Sequence, residues 1–298
     1  HQTLEPLDDI DHRKLIGELL QFDPTLSRRL LDRSEGNPLF AIQLIKDWVD
    51  RDLMEVGEYG FTLRNSSDPH LPDDLFDLWR GRLERVLENY SDEAGVALEL
   101  AAALGREVTD DECQPLSRIV DVSPPSGLLA DLLRNRLIAR TESGWQFAHD
   151  MLRETLERRA RHGGRWHQHN LACAQMLEER SSGDEFDRTY RLGHHYLEAE
   201  RYEEAIDPLI DALELCGRRS DFETASYLES RLDDAFEAAE LPESDPRWGW
   251  YVVARVRLQY SRSRGEMSEQ SIDQLESIRA MGEKYGQDLL VSQALHAI

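Results

Sequence analysis

The sequence predicts an all-α chain with two small β-hairpins, and three observations predict it. Apolar residues recur at helical spacing through most of its 298 positions, the period of a helix that buries one face. Strand-like alternation is confined to short stretches around Gly57 and Gly60 and around Ser143-Gly144. Beyond Gly163-Gly164 nothing but helical periodicity is present, in pairs that suggest stacked repeats.

The elements follow in order. Leu15, Ile16, Leu19 and Leu20 predict a helix over 11–21, and a second covers 24–32. The run Ser34-Glu35-Gly36-Asn37-Pro38 breaks the pattern. Pro38 then opens a strongly amphipathic helix whose expected buried stripe is Leu39, Phe40, Ile42, Leu44, Ile45, Trp48 and Val49. Leu53 to Val56 and Phe61 to Leu63 form the first hairpin, and the Ser-, Asp- and Pro-rich Asn65 to Pro72 marks a domain boundary. Helices are expected over 73–87, 91–104 with Ser91 as N-cap, 110–119 and 123–135. Leu137-Ile138-Ala139 and Trp145-Gln146-Phe147 then flank a Ser-Gly turn. Three helices followed by a short hairpin is the order of a winged helix. The division expected is therefore 1–65, a winged helix over 66–161, and helical repeats over 162–298.

The repeat region breaks at Ser181 to Asp184, at Gly217 and at Leu241 to Pro246. Leu192, Gly193, Tyr196, Ala205, Leu209 and Ala212 fall at the spacings of a tetratricopeptide (TPR) unit, with Arg201-Tyr202-Glu203 as its turn. Small residues there let two helices approach while the large ones fill the gap. Later units are degenerate, with one stripe of Ala225, Leu228, Leu232 and Ala235 and another of Val252, Val253, Val256, Leu258 and Tyr260. The chain starts without Met and ends on an apolar helix without a polar cap, so both ends read as cut from a longer protein.

Composition narrows the function. Forty per cent hydrophobic and 32 per cent charged residues describe a soluble globular protein, with no apolar run of bilayer length and no secretory leader, which points to the cytoplasm. Cys113, Cys173 and Cys216 have no paired spacing and read as buried thiols. A net charge of −24 disfavours nucleic acid, whose binding rests on neutralising phosphates. The helix over 123–135, which would read DNA in a winged helix, sets Asp131 against Arg134 and has little basic flank. His162, His167, His169 and the pair His194-His195 lack the spacing of a zinc site, so packed or solvated rings are expected and no metal. Arg158, Arg159, Arg161 and Arg165 form a basic run, for which Glu154 and Glu157 supply helical partners.

Two segments could carry chemistry. Gly36-Asn37-Pro38-Leu39-Phe40 is either an ordinary helix entry with Pro in its first turn or a turn whose flat apolar ring stacks on a planar base. Phe147-Ala148-His149-Asp150-Met151-Leu152-Arg153-Glu154 turns a strand into a helix. There His149 either packs beside a capping Asp150 or donates to a phosphate at the helix N-terminus.

Taken in order, these segments resemble the signal-transduction ATPases with numerous domains, the STAND class, over about 4–180. That resemblance implies a helical lid over 1–65 that follows an AAA-type ATPase core, then the winged helix, then sensor repeats. It implies that Gly36, Asn37, Pro38 and Leu39 form a lid motif whose proline contacts adenine. It also implies that His149 and Asp150 form a motif whose histidine touches the ADP β-phosphate. Leu71-Pro72-Asp73 and Ala102-Ala103-Leu104-Gly105-Arg106 are similar to bacterial members, some of them fused to kinases, cyclases or transcription regulators. No phosphate-cradling Gly-x-x-x-x-Gly-Lys-Ser/Thr run and no strand ending in paired acids is present. The expectation is thus a non-catalytic regulatory portion with four features. ATP or ADP binds only in the intact parent and weakly or not at all here; the upstream core is a partner in cis; a protein trigger binds the repeats; and oligomerisation on activation stays open. The alternatives are a nucleotide-independent TPR adaptor and, less well supported, a DNA-binding regulator.

Overall fold

The computed structural model describes residues 8–19, 21–64, 74–180, 184–242, 244–263 and 266–297. Leu20, the whole expected boundary from Asn65 to Pro72, the segment Leu71-Pro72-Asp73 and part of the break after Arg180 lie outside them. The described chain is all-α apart from short strands. It divides into two compact units: 1–98 with 105–107 and 123–159, and 99–104 with 108–122 and 160–298.

The first unit opens with α1 (Asp9–Leu19), α2 (Pro24–Ser34) and α3 (Pro38–Asp50). Helix α2 starts where the Asp23 carboxylate accepts from Thr25 N at 2.8 Å, with Pro24 in its first turn. Strands β1 (Met54–Gly57) and β2 (Gly60–Leu63) pair antiparallel, Met54 opposite Leu63 and Gly57 opposite Gly60. The segment before α2 ties onto this hairpin: Phe61 N donates to Gln21 O at 2.7 Å and Asp23 N to Phe61 O at 2.9 Å. That approach requires glycine at position 60, whose φ is +133° and whose Cβ, if present, would sit 2.5 Å from Gln21 O.

The expected stripe of α3 is corrected at three positions. Phe40, Ala41, Leu44, Ile45 and Trp48 are buried, but Leu39, Ile42 and Val49 are 45, 39 and 54 per cent exposed. At 100° per residue, positions 40, 41, 44, 45 and 48 share one face, while 39, 42 and 49 fall on another. Two polar side chains, Gln43 and Asp47, are buried instead.

Helix α4 (Leu75–Leu87) is capped by Asp74, which accepts from Asp77 N at 2.8 Å, and buries Leu78, Trp79, Leu83 and Val86. Ser91 stands at the N-cap of α5 (Asp92–Leu104) without a side-chain capping bond. After β3 (Glu107–Thr109) come α6 (Asp110–Val120) and α7 (Leu128–Arg134). Helix α7 is shorter than the expected 123–135. Pro124 and Pro125 lack donors and bias the residues before them away from helix, and Gly127 at φ 90° makes the entry. Strands β4 (Ile138–Arg140) and β5 (Gly144–Phe147) pair antiparallel, Ile138 opposite Phe147, in a sheet of order β3-β5-β4. Helix α8 (Asp150–His162) follows.

The second unit is helical throughout its later part: α9 (Trp166–Glu179), α10 (Glu185–Glu198), α11 (Tyr202–Arg219), α12 (Phe222–Ala239), α13 (Pro246–Arg262), α14 (Glu269–Tyr285) and α15 (Asp288–Ala297). Gly217 does not break α11; the helix ends at Ser220, which takes the left-handed conformation at φ 56°. The stripe Ala225, Leu228, Leu232 and Ala235 is wholly buried on α12. Val253, Val256 and Leu258 are buried on α13, whereas Tyr260 in its last turn is 47 per cent exposed. Val253, Val256, Leu275, Ile278, Leu290 and Ala294 make one cluster across α13, α14 and α15.

Candidate functional site

The first motif occupies the turn from α2 to α3. Glu35 is left-handed (φ 45°, ψ 42°) and Gly36 follows at φ 77°, which reverses the chain within two residues. Asn37 is extended, and its side-chain oxygen accepts from Phe40 N at 3.1 Å, so the sequence supplies both the stop of one helix and the cap of the next. Gly36 is buried, Asn37 exposed, Pro38 half-buried and Leu39 exposed, which leaves a prolyl ring and an isobutyl group as the apolar rim of the turn.

The second motif sits between β5 and α8. Phe147 N donates to Arg106 O at 3.0 Å and Ala148 N to Leu137 O at 2.9 Å, which fixes the strand end. His149 is half-buried, its ring 4.8 Å from that of Trp79 at an interplanar angle of 42°. Loss of hydration, followed by the positive charges of Lys46 and Arg82, holds its pKa below the usual histidine value, so the imidazole is neutral at pH 7. A neutral ring still carries one N–H donor, and an anion brought beside it would offset the two cations. Asp150 is exposed and pairs with Arg106 Nε at 3.5 Å, a surface contact of small energetic weight.

One relay of side chains connects the two motifs. Arg82 lies 5.0 Å from the centroid of the same Trp79 ring that meets His149. Its guanidinium donates to Asp47 Oδ1 at 3.3 Å, to Gln43 Oε1 at 3.2 Å and to Gln43 O at 3.0 Å. Helix α3, which begins at Pro38, is thus tied to His149 through Trp79 and Arg82. Sequence reasoning passed over Gln43, Asp47, Trp79 and Arg82. The available signal was Gln43 and Asp47, four residues apart on an otherwise apolar helix, since a buried carboxylate demands a cationic partner.

The repeat residues occupy α10 and α11. Leu192, Tyr196, Ala205, Leu209 and Ala212 are buried, and Gly193 faces Leu209 so closely that an added Cβ would lie 2.6 Å from its side chain. The histidines have neighbours of their own. His169 Nε2 meets Glu99 Oε2 at 3.1 Å, His195 Nδ1 meets Asn170 Oδ1 at 2.9 Å, and His167 stands 3.6 Å from Glu200. Among the described residues no group of three or more His, Cys, Asp or Glu could hold a metal ion. Of the basic run, Arg158 stacks 3.4 Å over Phe76, Arg161 reaches Glu198 at 2.6 Å and Arg165 pairs with Glu99. Burial raises all three cysteines, Cys113 and Cys216 to about 11 and Cys173 to about 12, so they remain thiols at neutral pH. Among the described residues no helix is long and apolar enough to cross a membrane.

No protein-family model matches the chain, and no curated protein matches it. Among solved structures it is similar to a signal transduction ATPase with numerous domains (STAND) protein with a tetratricopeptide repeat sensor from Pyrococcus horikoshii. The identity is 14 per cent and the TM-score 0.34, over 95 per cent of this chain and 48 per cent of that one. The chain thus spans about half the length of the solved structure it matches.

Proposed function

We propose that the chain is the regulatory and partner-binding portion of a nucleotide-switched signalling ATPase of the STAND class, working in the cytoplasm. In this reading 1–65 is the lid, 66–161 the winged helix and 162–298 a TPR-like sensor that takes a protein trigger. Gly36, Asn37, Pro38 and Leu39 lie against adenine, and His149, beside Asp150, donates to the ADP β-phosphate in an assembly completed by an upstream core.

The observation that carries the reading is the relay from His149 through Trp79 and Arg82 to Gln43 and Asp47 of α3. With it, loss of the phosphate from His149 bears on the helix that begins at Pro38. ADP then holds lid, winged helix and repeats in one resting arrangement, and exchange for ATP releases them as a two-state switch.

The test compares the complete protein with its His149→Ala variant for ADP against ATP preference, by displacement of a fluorescent nucleotide, and for basal output. Loss of the ADP preference with raised output is expected. An unchanged preference and unchanged output would sink the reading in favour of a nucleotide-independent adaptor. The present chain alone should bind labelled ADP weakly or not at all, since it carries no phosphate loop.

A further inference from the structure

The first unit contains a cavity of about 630 Å³ between the end of α3, the last turns of α4 and the end of α7. That volume lies in the range of small-molecule sites. Asp47, at 2 per cent side-chain exposure, faces three guanidiniums: Arg82 Nε at 3.3 Å and Arg85 Nη2 at 2.5 Å on one oxygen, and Arg51 Nη1 at 3.4 Å on the other. Across the cavity Arg134 pairs with Asp131 at 2.7 Å, an oxygen pair that also accepts from Tyr90 OH. With Asp50 counted, four arginines stand against three aspartates, a positive excess in a chain whose net charge is −24. Arg82 also donates to Gln43, whereas Arg85, on the same carboxylate oxygen, is 40 per cent exposed and carries five N–H donors. Leu53, Val86 and Leu137 add an apolar wall for an organic body.

We propose that this cavity binds a small organic oxyanion, whose phosphoryl or carboxylate group is held by Arg85 with Arg51 and Arg134 at its rim. The guanidinium fork matches either group in paired hydrogen bonds. The site is separate from the turn at Pro38, since Asp47 lies ~14 Å further along α3 at 1.5 Å per residue.

Calorimetric titration of this chain with pyrophosphate and with citrate, against sodium chloride at matched ionic strength, tests it. Saturable one-site binding is expected, with a Tm rise of about 3 °C at ten times the Kd. Arg85→Gln should weaken binding by roughly tenfold or more, whereas Arg218→Gln, exposed on α11 of the second unit, should not. Arg82 is left alone because it is buried and tied to Gln43 and Trp79. Preference for pyrophosphate marks a phosphorylated ligand, and preference for citrate a carboxylate. Heat and stabilisation no greater than chloride gives for both anions would overturn the proposal, as would wild-type binding by Arg85→Gln. Should Arg85→Gln fail to fold by circular dichroism, Arg134→Gln, 76 per cent exposed, decides in its place.

Discussion

Glu99 is the residue whose alteration tests the packing logic most sharply. It is fully buried, and both carboxylate oxygens are engaged: Oε1 by Arg165 Nη2 at 2.8 Å, Oε2 by Arg165 Nε at 2.8 Å and His169 Nε2 at 3.1 Å. Glu99→Gln keeps the size but turns an amide donor toward the guanidinium and leaves Arg165 without its counter-charge. Breaking a buried pair costs ~3–5 kcal/mol, and the low end applies because Arg165, 35 per cent exposed, regains part of its hydration. About 3 kcal/mol corresponds to a Tm fall of roughly 6–12 °C for a unit of this size. Urea denaturation followed by circular dichroism measures it. Replacing the whole group, as Glu99→Leu with Arg165→Met and His169→Leu, should be close to neutral, since apolar side chains of similar volume avoid the desolvation cost of the ions. A Glu99→Gln variant within about 0.5 kcal/mol of wild type, or one no less stable than the triple variant, would refute the account.

Two further perturbations separate close packing and charge burial from mere position. Gly193→Ala on α10 should destabilise by ~1–3 kcal/mol because its methyl collides with Leu209, whereas Gly217→Ala on α11, nearest to Leu258 at 3.9 Å, should be neutral or stabilising by ~0.5–1 kcal/mol; paired urea melts read the difference. His195, 2 per cent exposed, has its pKa pushed by burial from 6.5 to about 3, so protons bind preferentially to the unfolded chain. Its contribution to stability is therefore complete above pH 6.5 and is lost as pH falls toward 3, by about 2 kcal/mol between pH 7 and pH 5. Melting curves across that range should flatten by this amount in His195→Gln; an unaltered slope would show that the ring is charged or hydrated in the fold.

Most of the element order was legible because the helical period and the Pro and Gly breaks are local properties. The caps were less so: Ser91, the expected N-cap, makes no side-chain bond, whereas Asp23 and Asn37 do. The errors have local causes as well. Leu39, Ile42 and Val49 are apolar yet exposed, and apolar character alone does not say which face meets the core. The helix expected over 123–135 begins only at Leu128, because Pro124 and Pro125 bias the residues before them away from helix. Of the candidate site, the turn around Asn37-Pro38 and the strand end before His149 were readable, since each is a contiguous run.

What the sequence determined by itself is therefore the all-α character, the hairpins near residues 54–63 and 138–147, and the small-residue spacing that seats Gly193 on Leu209. Only the tertiary structure decided which charges meet. Arg82 lies 35 positions from Asp47, Arg165 66 positions from Glu99, and Asp131 41 positions from Tyr90. No periodicity connects such pairs, because a buried ion selects its partner through the low dielectric of the place where the chain brings them together.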